Sequence, residues 1–147
     1  MAAALAIGAL ALWGFTHVAQ DPCKDCKGCC GEEGKAHGKG HEGICVMADH
    51  HNGTFQVPVG GYLHACLPSN PTTGYGWQIK SIDSTVIKPV GKPVFEKPSS
   101  NAVGAPGFQV FQFQGVARGQ SVVTMVYVRP WEKTKPAKTF RFTVGVY

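Results

Sequence analysis

Beyond residue 43 the chain is written in short alternating runs, the two-residue period of half-buried strands. The clearest spans residues 139–147, where Phe140, Phe142, Val144 and Val146 fall on one side. Residues 121–128 place Val122, Thr124, Val126 and Val128 on one face and Val123, Met125 and Tyr127 on the other. Residues 62–67 set Leu63, Ala65 and Leu67 against Tyr62, His64 and Cys66; residues 75–80 align Tyr75, Trp77 and Ile79. Shorter strands are expected over 44–48 and 54–59, the latter at an edge because Pro58 cannot donate to a ladder. Asn52-Gly53 between them is a strong turn signal.

The middle of the chain is less regular. Pro89, Pro93 and Pro98 exclude a central strand, so short edge strands or loop are expected around 86–90 and 94–95. Residues 107–114 form a strand whose alternation slips between Val110 and Phe111, implying either a bulge or burial on both faces. No amphipathic helix of useful length follows the N-terminal apolar stretch. Short strands punctuated by turns predict an all-β fold, an antiparallel sandwich over residues 44–147, with Trp77 as a natural centre for its core.

Two appendages precede this domain. Residues 1–19 carry no Lys, Arg, Asp or Glu, and residues 2–15 are almost wholly apolar. That reads as a secretory signal or membrane anchor over 1–20, hence an exported protein: periplasmic, secreted or membrane-tethered. Residues 20–43 hold no Val, Ile, Leu, Phe, Trp or Tyr, so they cannot bury enough apolar surface to offset the entropy of ordering. Within them Cys23, Cys26, Cys29, Cys30, His37 and His41 form a candidate set for zinc or copper, in competition with disulfides, which export permits. The assignment is a hydrophilic Cys-, His- and Gly-rich linker over 21–43, and no cofactor. Charge separates the parts: from residue 44 onward ten Lys and Arg face four acids, whereas residues 21–43 hold four Lys against five acids. The basic excess suits solubility and steering of acidic partners. It is no nucleic-acid signature, since basic and aromatic residues do not interleave into a stacking platform.

The stretch Asn70-Pro71-Thr72-Thr73-Gly74-Tyr75-Gly76-Trp77 interrupts two apolar runs with a rigid polar tip. Pro71 fixes its own φ and extends Asn70, Gly74 can take φ > 0, and the two threonines are stiff at χ1 with hydroxyls that can point outward. This stretch resembles the NPTTG-aromatic signature of the chagasin-type inhibitors of papain-like cysteine peptidases. A second signature of that family, Arg-Pro-Trp, stands at Arg129, Pro130 and Trp131. A third, a Gly-x-Gly-Gly loop, is met imperfectly by Gly104, Ala105, Pro106 and Gly107, where proline replaces one glycine. The three occur in the family's order across residues 44–147.

The resemblance implies an immunoglobulin-like β-sandwich acting as a monomeric, reversible inhibitor, its three loops clustered at one end. Asn70, Pro71, Thr72, Thr73, Gly74 and Tyr75 would form the central wedge in the peptidase cleft, Thr72 nearest the catalytic pair. Arg129, Pro130 and Trp131 would form one flank, with Trp131 flat on the enzyme, and Gly104, Ala105, Pro106 and Gly107 the other. Pro106 removes a donor and a glycine's φ freedom, which predicts a different loop shape, a narrower target range or no contact at all. Trp131 also reads as an exposed hot spot without the family, since it follows a strongly apolar strand and precedes a polar loop.

Two rivals follow from the same residues: an exported binding module without inhibitory activity, and a metal-handling protein acting through the Cys/His segment. An enzyme fits worse. His64 and Cys66 share a strand face, but no third residue orients the histidine, and no nucleophile elbow, phosphate loop or zinc-protease motif is present.

Overall fold

The computed structural model describes residues 43–97 and 106–147. The leader at 1–20, the linker with its candidate metal ligands, and Gly104 and Ala105 lie outside the described residues. Eight strands form two four-stranded sheets: β1 (Ile44–Met47), β3 (Tyr62–Ser69), β6 (Gly107–Gly115) and β5 (Ile87–Glu96) in the order β1-β3-β6-β5, and β2 (Thr54–Val57), β8 (Lys138–Val146), β7 (Gly119–Val128) and β4 (Gly76–Ser81) in the order β2-β8-β7-β4. This is the expected all-β sandwich. Its antiparallel character holds except at two edges, where β1 pairs with β3 and β2 with β8 in parallel.

Those parallel edges explain why Asn52-Gly53 does not close a hairpin. After β1 the chain makes a short 3-10 turn at Ala48–His50, and the Met47 amide donates to His50 Nδ1 at 3.1 Å. Asn52, at φ 64°, then donates to the Arg141 carbonyl, and Thr143 donates back to Gly53. The turn therefore carries the chain from one sheet to the other.

Alternation decides which faces meet. Leu63, Ala65 and Leu67 of β3 and Phe111 and Phe113 of β6 face Val123 and Met125 of β7 and Phe140, Phe142, Val144 and Val146 of β8, all buried. Fully burying one phenylalanine contributes about 1.5–3 kcal/mol, so Phe113 and Phe142, in edge-to-face contact, anchor the centre. The slip at Val110-Phe111 is burial on both faces: Phe111 joins the main core, while Val110 packs with Met47 and Cys66 in a smaller outer cluster. The register with β3 is unbroken there. The irregularity falls on the β5 side, between Val90 and Val94, around Gly91 at φ 68°. The two expected prolyl fragments are thus one bent edge strand: Pro93 falls within the bulge, and Pro89, opposite Phe113, is tolerated because β5 lies at the sheet edge.

The pairings also fix direction. β1, β3, β5 and β7 all run towards one end of the sandwich, and β2, β4, β6 and β8 run away from it. Every odd-to-even connection therefore lies at that end, including the wedge and residues 129–137. The chain enters β1 and leaves β8 at the opposite end.

Candidate functional site

The wedge is a capped 3-10 turn. Pro71 opens it, where a missing amide hydrogen costs nothing, and Gly74 ends it in the left-handed region at φ 77°. Asn70 Oδ1 accepts from the Thr72 amide at 3.2 Å and from Thr72 Oγ1 at 2.6 Å. Thr73 Oγ1 donates to the Asn70 carbonyl at 2.6 Å. Both hydroxyls thus fold back onto Asn70 instead of pointing outward as their polarity alone suggests. The competing acceptors are one side chain and one carbonyl of the same turn, which reach them without disturbing the backbone.

The backbone is tied as firmly. The Asn70 carbonyl also accepts from the Thr73 amide at 3.1 Å, the Pro71 carbonyl accepts from Gly74 at 3.0 Å, and the Thr73 carbonyl accepts from Arg129 Nε at 3.0 Å. The last bond joins the two signature loops. The Arg129 guanidinium lies 4.4 Å from the centre of the Tyr75 ring and pairs with Glu132 at 2.7 Å. Its hydrogen bond to Glu132 holds it even further above its ordinary pKa. Trp131 is 69% exposed, as expected of a hot spot, yet its ring edge rests on the wedge. A methyl group on Gly74 would lie 2.6 Å from Trp131 Cη2 and 2.8 Å from Cζ2.

Beneath the wedge runs a column of rings. Tyr75 stacks on Tyr127 with centroids 5.3 Å apart, Tyr127 meets Trp77 at 5.1 Å, and Trp77 meets Phe140 at 6.4 Å. Trp77, expected at the centre of the core, sits high in it, with Nε1 donating to the Pro68 carbonyl at 2.9 Å. Gln109 of β6 reaches across to β4: its Oε1 accepts from the Trp77 amide at 2.8 Å and its Nε2 donates to the Trp77 carbonyl at 3.0 Å. Neither Gln109 nor Tyr127 belongs to a motif.

The third loop divides. Pro106 is exposed, whereas Gly107 is buried as the first residue of β6, opposite Ser69. The Phe95 ring and the Glu96 carbonyl occupy the space a β-carbon would need. Gly107 is thus a packing residue at the base of the loop, beside the stem of the wedge. Cys66 is disulfide-bonded, so it offers no thiolate to His64.

A profile of the chagasin family of peptidase inhibitors matches residues 56–146, which contain all three signatures. This chain belongs to the chagasin family. Chagasin of Trypanosoma cruzi is 36% identical over 104 residues, covering 67% of this chain and 92% of chagasin. Amoebiasin-1 of Entamoeba histolytica is 28% identical over 103 residues, 70% of this chain and 99% of that protein. Among solved structures, the E. histolytica cysteine protease inhibitor EhICP2 superposes with a TM-score of 0.61 at 21% identity, over 75% of this chain and all (100%) of that one. The solution structure of Amebosin gives 0.60 at 26% identity, over 74% and 100%. The chagasin-family sandwich thus accounts for the fold, and the wedge, its Arg129 brace and Trp131 occupy one continuous surface at its end.

Arg129 makes a first test of that surface. Lysine keeps the charge but offers a single nitrogen, which cannot serve the Thr73 carbonyl and Glu132 in the same fork geometry while stacking on Tyr75. Arg129→Lys is expected to weaken inhibition of papain by roughly tenfold, with the melting temperature nearly unchanged. An unaltered inhibition constant would show that the wedge holds its shape without the brace.

Proposed function

We propose that this chain is a reversible inhibitor of papain-like cysteine peptidases that plugs their cleft with the wedge at 70–75 and grips the rim with Arg129, Pro130, Trp131 and the loop at 104–107. The observation that carries this reading is the Arg129 Nε–Thr73 hydrogen bond, which fuses two signatures distant in sequence into one preformed surface. Preformed loops lose little entropy on docking, and a standard interface of about 1,600 Å² suffices for nanomolar binding.

The same geometry restrains the peptide units on either side of Thr72, which opposes cleavage of the loop in the cleft. Cleavage needs a carbonyl oxygen placed in the oxyanion hole while the thiolate attacks its carbon. In the wedge, the carbonyls of Asn70, Pro71 and Thr73 already accept hydrogen bonds from within the inhibitor. Those bonds hold the carbonyls in the turn, so aligning any of them with the thiolate and the oxyanion hole would distort it. Export, from the apolar stretch at 1–20, would bring the inhibitor to peptidases outside the cytoplasm.

The full chain is expected to inhibit papain reversibly at nanomolar to submicromolar concentration and to leave trypsin untouched. Folded protein without effect on papain at micromolar concentration would favour a binding module that shares the sandwich but not the activity.

A further inference from the structure

Tyr127 touches both stems of the wedge. The Asn70 amide, where the chain leaves β3, donates to Tyr127 Oη at 3.1 Å. Tyr75, where the chain re-enters β4, stacks on the Tyr127 ring at 5.3 Å with 24° between planes. Through its backbone Tyr127 governs the flank as well, because its carbonyl accepts from the Ala137 amide at 3.0 Å and so closes the loop that carries Trp131. The residue itself is seated on Trp77, its register partner across β4 and β7. A half-buried side chain on an otherwise regular strand therefore fixes the start of the wedge, its end, and their distance from one another.

We propose that Tyr127 is the positioning residue that keeps the wedge inhibitory, holding its two stems so that the peptidase cannot draw the loop into a cleavable extended conformation. A substrate is bound as an extended strand, and extension of residues 70–75 requires the stems to separate. Tyr127 opposes that separation with a hydrogen bond at one stem and a stacked ring at the other. These groups lie under the wedge, on the side away from the docking surface, so Tyr127 acts through Asn70 and Tyr75 without touching the enzyme. Its loss would convert a durable inhibitor into a slowly consumed one.

The inference rests on the inhibitory reading above, and the test separates the two. Three full-length proteins are compared: the natural chain, Tyr127→Phe, which deletes the hydroxyl alone, and Tyr127→Leu, which also deletes the ring. Two quantities are followed: hydrogen exchange at the Asn70 amide in the free inhibitor, and intact mass after prolonged incubation with papain. Tyr127→Phe is expected to exchange at Asn70 roughly 2- to 10-fold faster, as loss of one neutral hydrogen bond gives, and to be nicked between residues 70 and 76 while the natural chain stays intact. Tyr127→Leu is expected to be nicked faster still and to inhibit more weakly. Should Tyr127→Leu fail to fold, Tyr127→Phe decides alone. A natural chain that does not inhibit papain overturns the inhibitory reading. If the natural chain inhibits and Tyr127→Phe shows the same Asn70 exchange and the same resistance to cleavage, the positioning role is overturned. It is overturned equally if Tyr127→Leu lowers the melting temperature while the wedge remains uncut.

Discussion

Trp131→Ala should weaken inhibition of papain by roughly 30- to 1,000-fold, the loss typical of truncating an interface tryptophan at about 2–4 kcal/mol. Exposure is the reason. At 69% exposed, Trp131 spends most of its surface on solvent in the free protein, so the sandwich gains little from it. Its hydrophobic area becomes useful only when a second surface covers it. The melting temperature should accordingly move by no more than a few degrees, as is usual for surface substitutions. Inhibition constants and thermal melts of the two proteins check both halves. A large drop in melting temperature with inhibition retained by the folded fraction would make Trp131 part of the scaffold and remove it from the docking surface.

Gly74→Ala should be comparably damaging, near 100-fold, for a different reason. At φ 77° an alanine is strained by about 1 kcal/mol. Its methyl group would also meet the Trp131 ring at distances no real contact sustains. The exposed ring is what gives way, swinging off its place against the wedge, so one substitution costs both the strain of the turn and the tryptophan's position. A double-mutant cycle exposes the coupling. In the Trp131→Ala background the collision is gone, so adding Gly74→Ala should cost only the left-handed strain, roughly 5-fold. Strict additivity of the two losses would mean that wedge and tryptophan bind independently.

What the residues disclosed by themselves follows from how local each feature is. The inward face of β8 could be listed from alternation alone, because every other residue from Phe140 to Val146 is apolar and all four are buried. The wedge was equally legible, since Pro71 and Gly74 fix a turn whatever surrounds them. The Asn52-Gly53 signal marks a real turn but does not say which strand the next one joins. Whether the next strand pairs with the last is decided by Arg141 and Thr143, which no local pattern reveals. The prolines of β5 argued for broken strands, and only the bulge at Gly91 shows how one edge strand accommodates them. Gln109 and Tyr127 were illegible as site residues, because their partners lie 32 and 57 positions away. An amide side chain on a strand offers no hint that it grips a tryptophan's backbone on the opposite sheet. Gly107 matches a loop signature, and it also stands where Phe95 and Glu96 leave no room for a side chain, which the signature does not disclose.

The direction of the strands has a practical corollary. Because β8 ends at the pole opposite the wedge, a group joined after Tyr147 hangs from the back of the sandwich. A sandwich fastened through Tyr147 to a sensor chip would stand upright, its wedge and Trp131 facing the surrounding fluid. Immobilised through that C-terminal end, it would capture a peptidase in free solution as well as the untethered protein does, whereas coupling through Lys133 or Lys135, beside the tryptophan, would mask it.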